Sequence, residues 1–141
     1  MDRELRLDLK WHDADVVEVR VAAWNGAFGG TADAYVGIGC LREAAAELEG
    51  FPRTPADARV VTFGASGPNW AGGAASLRFY CADQAGHAYV EVRLESGDRV
   101  ANVTQSSLLC IPIEPAALDS FVADLRRLED EKQGTARLRA R

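Results

Sequence analysis

The chain has 141 residues, of which 48% are hydrophobic and 26% charged, and its formal net charge is −5. This size and composition predict one folded domain and exclude a disordered or fibrous chain. The acidic balance argues against a nucleic-acid partner, and the absence of any apolar run of about 18 residues argues against a membrane span. The charged N-terminal segment also lacks the apolar core of a signal peptide. We therefore expect a cytoplasmic protein that binds neither nucleic acid nor membranes.

Three cysteines, Cys40, Cys81 and Cys110, lie far apart in the sequence. They form no metal-binding motif with each other or with a histidine. Cys81 and Cys110 fall in apolar surroundings, which favours buried, reduced thiols. We predict neither a cofactor nor a metal site.

The first two segments alternate between apolar and polar residues, at 5–11 and 16–23, which predicts an antiparallel strand pair. Two registers keep the apolar residues on one face. Pairing Leu9 with Val17 would set like charges directly opposite each other, which destabilises a sheet. The favoured register pairs Leu9 with Val19, Asp8 with Arg20, and Lys10 with Glu18.

The middle of the chain changes from strand to helix and back. Residues 26–36 alternate but are rich in small side chains, which indicates a bulge or the close approach of another element. The spacing of apolar residues over 41–48 predicts a helix that ends at the following Gly-Phe-Pro. Residues 59–65 predict a fourth strand, and the Gly- and Ala-rich residues 64–75, with Trp70, predict a long irregular connection.

Residues 77–95 predict a β-hairpin whose turn lies at 83–86, with Asp83 first and Gly86 fourth. A four-residue turn there sets Tyr80 opposite Tyr89 and Arg78 opposite Glu91. The face that points away from the core then carries an aromatic and charged strip. Because Tyr and Arg are favoured at protein interfaces, this strip is the candidate interaction surface: Arg78, Tyr80, Tyr89, Glu91 and Arg93, with Trp70 as a further candidate. Ordinary cross-strand pairing on a solvated sheet face is the simpler interpretation.

The last part of the chain predicts one long strand, or two broken halves of one, over 100–113. A helix is predicted to begin at Pro115 and to end near Gly134. The predicted order is β-β-β-α-β-β-β-β-α. It indicates an α+β fold with a single antiparallel sheet of about six or seven strands and two helices on one face. Residues 1–131 are predicted to form this domain, and the basic residues 132–141 a disordered C-terminal tail.

Chemical motifs are weak. His12 and His87 both fall beside turns, and neither is accompanied by a nucleophile and an orienting acid. The Gly-rich segment around Trp70 lacks the Lys-Ser/Thr ending of a phosphate-binding loop. No catalytic residue is predicted.

A wider pattern joins the helix ending in Phe51-Pro52, the spacing of Asp83, Gly86, His87, Val90 and Val92, and the final helix with Leu118 and Phe121. This pattern resembles small uncharacterised bacterial proteins of the domain-of-unknown-function type. Some relatives of this layout look like immunity proteins of polymorphic toxin systems. The resemblance implies the α+β fold and carries no catalytic residue.

Three functions remain open from the sequence. The leading hypothesis is a non-enzymatic protein-binding module, of immunity type, that uses the Tyr80/Tyr89 strip. The second is a ligand-binding protein or small enzyme with a pocket between the sheet and the Gly-rich loop. Trp70 would be its lid, and Trp70 would converge there with His87 or Asp33. The third is a structural domain that self-associates as a homodimer.

Overall fold

The computed structural model describes residues 1–65, 72–98 and 100–141. Within these residues the chain is an α+β fold of eight strands and two helices. In chain order they are β1 (Glu4–His12), β2 (Val16–Trp24), β3 (Gly29–Gly37), α1 (Cys40–Leu48), β4 (Ala58–Gly64), β5 (Ala74–Cys81), β6 (Ala88–Asp98), β7 (Val103–Ile113), α2 (Pro115–Glu131) and β8 (Thr135–Arg139).

The strands form two antiparallel sheets of four, so the prediction of a single sheet is wrong. The first sheet has the order β3-β2-β1-β8, and the second has the order β4-β5-β6-β7. β3 and β4, which α1 separates in the sequence, do not pair with each other. Each sheet instead consists of strands that follow one another in hairpins, and β8 is added at the edge of the first.

β3 runs across the ends of the second-sheet strands. Near its start, a Cβ at Gly30 would lie 3.1 Å from the Ser107 Cβ of β7. Further along, the Gly73 amide, just before β5, donates to the Asp33 carbonyl at 2.6 Å. Beside β4, a Cβ at Gly64 would lie 3.0 Å from the Ala34 Cβ. The small residues of 26–36 thus mark the close approach of a second element, as their composition indicated.

The two helices close the side of the molecule between β8 and β4. α2 packs against β8 and α1, and α1 packs against β4. Their buried stripes are the predicted ones: Leu41, Ala44, Ala45 and Leu48 on α1, and Leu118, Phe121, Val122, Leu125 and Leu128 on α2. These side chains join the inner faces of both sheets in one hydrophobic core. No helix of the described chain is long and apolar enough to cross a membrane.

The C-terminal residues predicted to be disordered include a strand of the first sheet. β8 pairs with β1 and places Leu138 opposite Leu5 and Ala136 opposite Leu7. Both Ala136 and Leu138 are fully buried. The basic residues of this segment hid its alternation, since only three apolar residues, two of them alanine, fall between them. The prediction of a tail beyond residue 131 is therefore wrong.

The register of the first hairpin is the one that the cross-strand charges predict. Leu9 lies opposite Val19, and Asp8 lies opposite Arg20. The pairing then shifts at a bulge after Leu9, which brings Trp11 instead of Lys10 opposite Glu18. A bulge adds one residue to one strand of a pair, and the charge pattern alone did not indicate it.

Glu129, an acidic residue near the end of α2, accepts a hydrogen bond from the first turn of α1. Glu129 is 1% exposed, and its Oε1 accepts a hydrogen bond from the Arg42 amide of α1 at 3.3 Å. Its Oε2 lies 2.7 Å from the Lys132 ammonium. Burial by itself would raise the pKa of Glu129, but the hydrogen bonds from Lys132 and Arg42 outweigh it and lower the pKa. The carboxylate therefore supplies an acceptor for an amide that the helix leaves unpaired.

Candidate interaction surface

The outer face of the second sheet carries the predicted strip, which we call the tyrosine face (Arg78, Tyr80, Tyr89, Glu91 and Arg93). The hairpin register is the predicted one, since Tyr80 lies opposite Tyr89 and Arg78 opposite Glu91. Alternate residues of the same strands are buried, including Leu77, Phe79, Val90 and Val92. The alternation thus commits one side of the hairpin to the core and leaves the tyrosine face toward solvent.

Aromatic rings and guanidinium groups stack along this face. The ring centroids of Tyr80 and Tyr89 are 6.0 Å apart, with an interplanar angle of 22°. The Arg78 guanidinium lies 4.5 Å from the Tyr80 centroid. Arg141 lies 5.9 Å from the Tyr89 centroid. Two stacked rings are therefore each accompanied by a cation, an arrangement that orders these long side chains before any partner arrives.

Arg141 is the member that the sequence did not reveal. Its backbone amide donates to the Pro112 carbonyl of β7 at 2.8 Å, and the Ala140 amide donates to the Arg3 carbonyl at 2.9 Å. These bonds bring the residues after β8 to the edge of the second sheet. A residue 52 positions after Tyr89 therefore reaches the tyrosine face, through a sheet edge that local patterns do not predict.

The charges of the tyrosine face are unevenly paired. Arg78 and Glu91 form a loose ion pair at 3.9 Å. Arg93 is exposed and has no ion pair among the described residues. Burial, followed by the hydrogen bond to the Cys110 thiol at 3.8 Å, raises the pKa of Tyr80 above its ordinary value of 10.0. The Tyr80 hydroxyl therefore stays protonated. Because Arg93 makes no ion pair among the described residues, its charge is available to a partner.

Apolar side chains border the tyrosine face on both edge strands. Val60 of β4 is 52% exposed and lies opposite Arg78. Leu108 of β7 is 50% exposed and lies opposite Arg93. Exposed apolar groups around aromatic and Arg side chains are the composition of a protein interface core.

The cysteine prediction is only partly right. Cys81, Cys110 and Cys40 are all free, but each is partly exposed and none is fully buried. Cys81 packs against the core, whereas Cys110 lies opposite Glu91 on the outer face. The apolar run around Cys110 continues onto both sides of the edge strand, so composition did not reveal its orientation.

His87 belongs to the turn of the hairpin. Its Nδ1 lies 2.6 Å from the Asp83 Oδ2, and its backbone amide donates to the Asp83 Oδ1 at 3.2 Å. Hydrogen bonds from His87 lower the pKa of Asp83. The aspartate thus holds the turn together. Among the described residues no group of three or more His, Cys, Asp or Glu side chains is placed to hold a metal.

The sequence predicts a pocket beside the Gly-rich loop, with Trp70 as its lid. Trp70 lies outside the described residues. A shallow hollow does lie next to Ala65, lined by Trp11, Tyr35 and Cys40 among others. The histidine that could have converged there is at the opposite end of the second sheet, and Asp33 is held by Arg20 at 2.8 and 3.0 Å. The hollow thus contains neither partner that the pocket hypothesis required.

Comparison with known proteins gives no relative. No family model, no curated protein and no solved structure matches the chain.

Proposed function

We propose that the chain is a cytosolic, non-enzymatic protein-binding module of immunity type, and that the tyrosine face docks its partner. The observation that carries this proposal is the ordered stack of Tyr80 and Tyr89 with Arg78 on the outer face of the second sheet. The stack limits the rotamer freedom that these side chains would lose on binding, which is a main cost of association.

The side chains of the face define the partner's chemistry. Among the described residues neither Arg93 nor Arg141 has an ion pair, and the Arg141 guanidinium lies against the Tyr89 ring. Val60 and Leu108 supply apolar area at the borders. The complementary surface is a protein that presents carboxylates around exposed apolar groups.

Binding to the protein products of neighbouring genes tests this proposal. The key variant is Tyr89→Ala, which removes the ring between Tyr80 and Arg141 without touching the core. The matched control is Tyr35→Ala, because Tyr35 is 42% exposed on the outer face of the first sheet. We expect Tyr89→Ala to weaken binding by about 30-fold, as a central aromatic contact does, and Tyr35→Ala to leave it unchanged.

Equal binding by both variants would overturn the assignment of the tyrosine face. Light scattering of the chain alone, at several concentrations, distinguishes a foreign partner from a second copy. A dimer that Tyr89→Ala dissociates would replace the foreign partner with self-association.

A further inference from the structure

A groove of about 550 Å³ lies on the outer face of the first sheet, away from the tyrosine face. It follows a row of residues across all four strands: Thr31 on β3, Ala22 on β2, Arg6 on β1 and Arg137 on β8. Ala22 is the smallest of these side chains. The side chains of this row are therefore shortest near the centre of the groove and longer at its two sides.

Trp24 forms one wall of the groove. Its ring lies across Gly29, because a Cβ at Gly29 would be only 2.7 Å from the Trp24 Cε3. A larger residue at this position would displace the indole. Gly29 and Ala22 thus create an apolar floor beside an aromatic wall, which suits an apolar or aromatic side chain of a small ligand.

Glu4 contributes a carboxylate to the groove with an unused acceptor. Its Oε2 is shielded from solvent and accepts no hydrogen bond from any described residue. Arg139 stands directly opposite Glu4 on β8, yet the two form no ion pair within the described chain. Since Oε2 is closed to water, it is also closed to a ligand. The other oxygen of this half-buried carboxylate lines the groove without a hydrogen bond from any described residue, so it can accept one from an N–H group of a ligand.

The two arginines of the groove differ in whether an ion pair already compensates their charge. Arg6 donates through its Nε to both carboxylate oxygens of Asp8 at 3.0 Å, so its charge is already compensated. Arg137 is exposed and has no ion pair among the described residues. Asp2 also lines the groove. A ligand with only a positive charge would meet Arg137 uncompensated, whereas a ligand with both signs can pair with Glu4 and Arg137.

We propose that this groove binds a free α-amino acid with an apolar or aromatic side chain. Its ammonium group donates to Glu4, its carboxylate pairs with Arg137, and its side chain lies on Ala22 against Trp24. Nothing in this assignment depends on the tyrosine face.

NMR titration of the isotope-labelled chain with L-leucine tests the proposal. We expect saturable shifts of the Ala22, Gly29 and Thr31 amides and of the Trp24 indole. Leucinamide lacks the carboxylate and N-acetyl-leucine lacks the ammonium group, so each should bind about tenfold more weakly or worse. Because these compounds are compared on the unmodified chain, the result does not depend on a variant that folds.

Variants assign the two charges. Glu4→Gln and Arg137→Gln should each weaken leucine binding by about tenfold, and Ala22→Leu should abolish it by filling the floor. Glu131→Gln, which removes an acidic charge from α2 outside the groove, is the control and should bind normally. The absence of saturable shifts, shifts located elsewhere, or equal binding of all three compounds would overturn the proposal.

Discussion

Replacement of Glu129 with alanine tests whether a buried carboxylate of α2 holds the start of α1. The variant leaves the Arg42 amide without its acceptor, which costs about 1 kcal/mol for a helix cap. It also leaves the Lys132 ammonium, whose side chain is 22% exposed, without its charged partner. That loss adds about 1–3 kcal/mol. We therefore expect the free energy of unfolding to fall by about 2–4 kcal/mol.

Urea denaturation followed by circular dichroism measures this change. Asp130→Ala is the matched control, because Asp130 also pairs with Arg42 but both side chains are more than half exposed, at 67% and 58%. Exposed pairs contribute about 0–1 kcal/mol. Similar losses for the two variants, or a loss below about 0.5 kcal/mol for Glu129→Ala, would refute the capping role.

The pH dependence provides a second measurement of the same contact. The fold lowers the pKa of Glu129 below its ordinary value of 4.5, so the unfolded chain binds this proton more readily. The stabilisation is then fully present above about pH 4.5 and is lost as the pH falls through the folded-state pKa. Glu129→Gln keeps an acceptor for the Arg42 amide but lacks the charge. The difference in stability between wild type and Glu129→Gln should shrink in acid, and a constant difference would contradict the argument.

Two further predictions concern the core and the junction of the sheets. Phe79 is fully buried and contacts Phe51 edge-on at 6.1 Å, so Phe79→Ala should lower the free energy of unfolding by about 3–5 kcal/mol; Phe28→Ala, at a side chain 65% exposed, should change it by less than about 0.5 kcal/mol. Gly30→Val should cost about 1–3 kcal/mol by overpacking the contact with β7, whereas at Gly97 the nearest atom is 3.5 Å from an added Cβ and valine should be tolerated better. Thermal and urea unfolding check both pairs, and equal effects within a pair would contradict the packing assigned to it.

The pairing within hairpins could be predicted because its determinants are local. The turn from Asp83 to Gly86 is held by its own aspartate, and it sets Tyr80 opposite Tyr89. In the first hairpin, the opposite charges of Asp8 and Arg20 select one of two registers that bury the same apolar residues. Turn chemistry and cross-strand charge are properties of neighbouring residues, so the sequence contains them directly.

The division into two sheets depends on contacts between distant segments. The alternation within a hairpin predicts which residues of two adjacent strands face each other. It does not predict whether β3 and β4 belong to the same sheet. The structure decides this through Gly30 and Gly64, whose missing side chains let β3 cross the second sheet. In the sequence Gly30 only weakened the strand prediction for residues 26–36, and Gly64 fell where the predicted fourth strand meets the Gly- and Ala-rich connection.

β8 and the residues after it supply arginines to the outer faces of both sheets. The charges of this segment therefore have a different role from the one that the sequence predicts. Ala136 and Leu138 fix the strand in the core, so Arg137 is held at the groove, and the chain continues to Arg141 beside Tyr89. The basic residues are therefore not a free arm that balances an acidic domain. They form part of two solvent-facing surfaces, and each surface combines an arginine from this segment with an aromatic side chain from an earlier strand. The place of these two arginines could not be predicted without the β1–β8 pairing, because Arg141 lies 52 positions after Tyr89 and Arg137 lies 113 positions after Trp24 in the sequence.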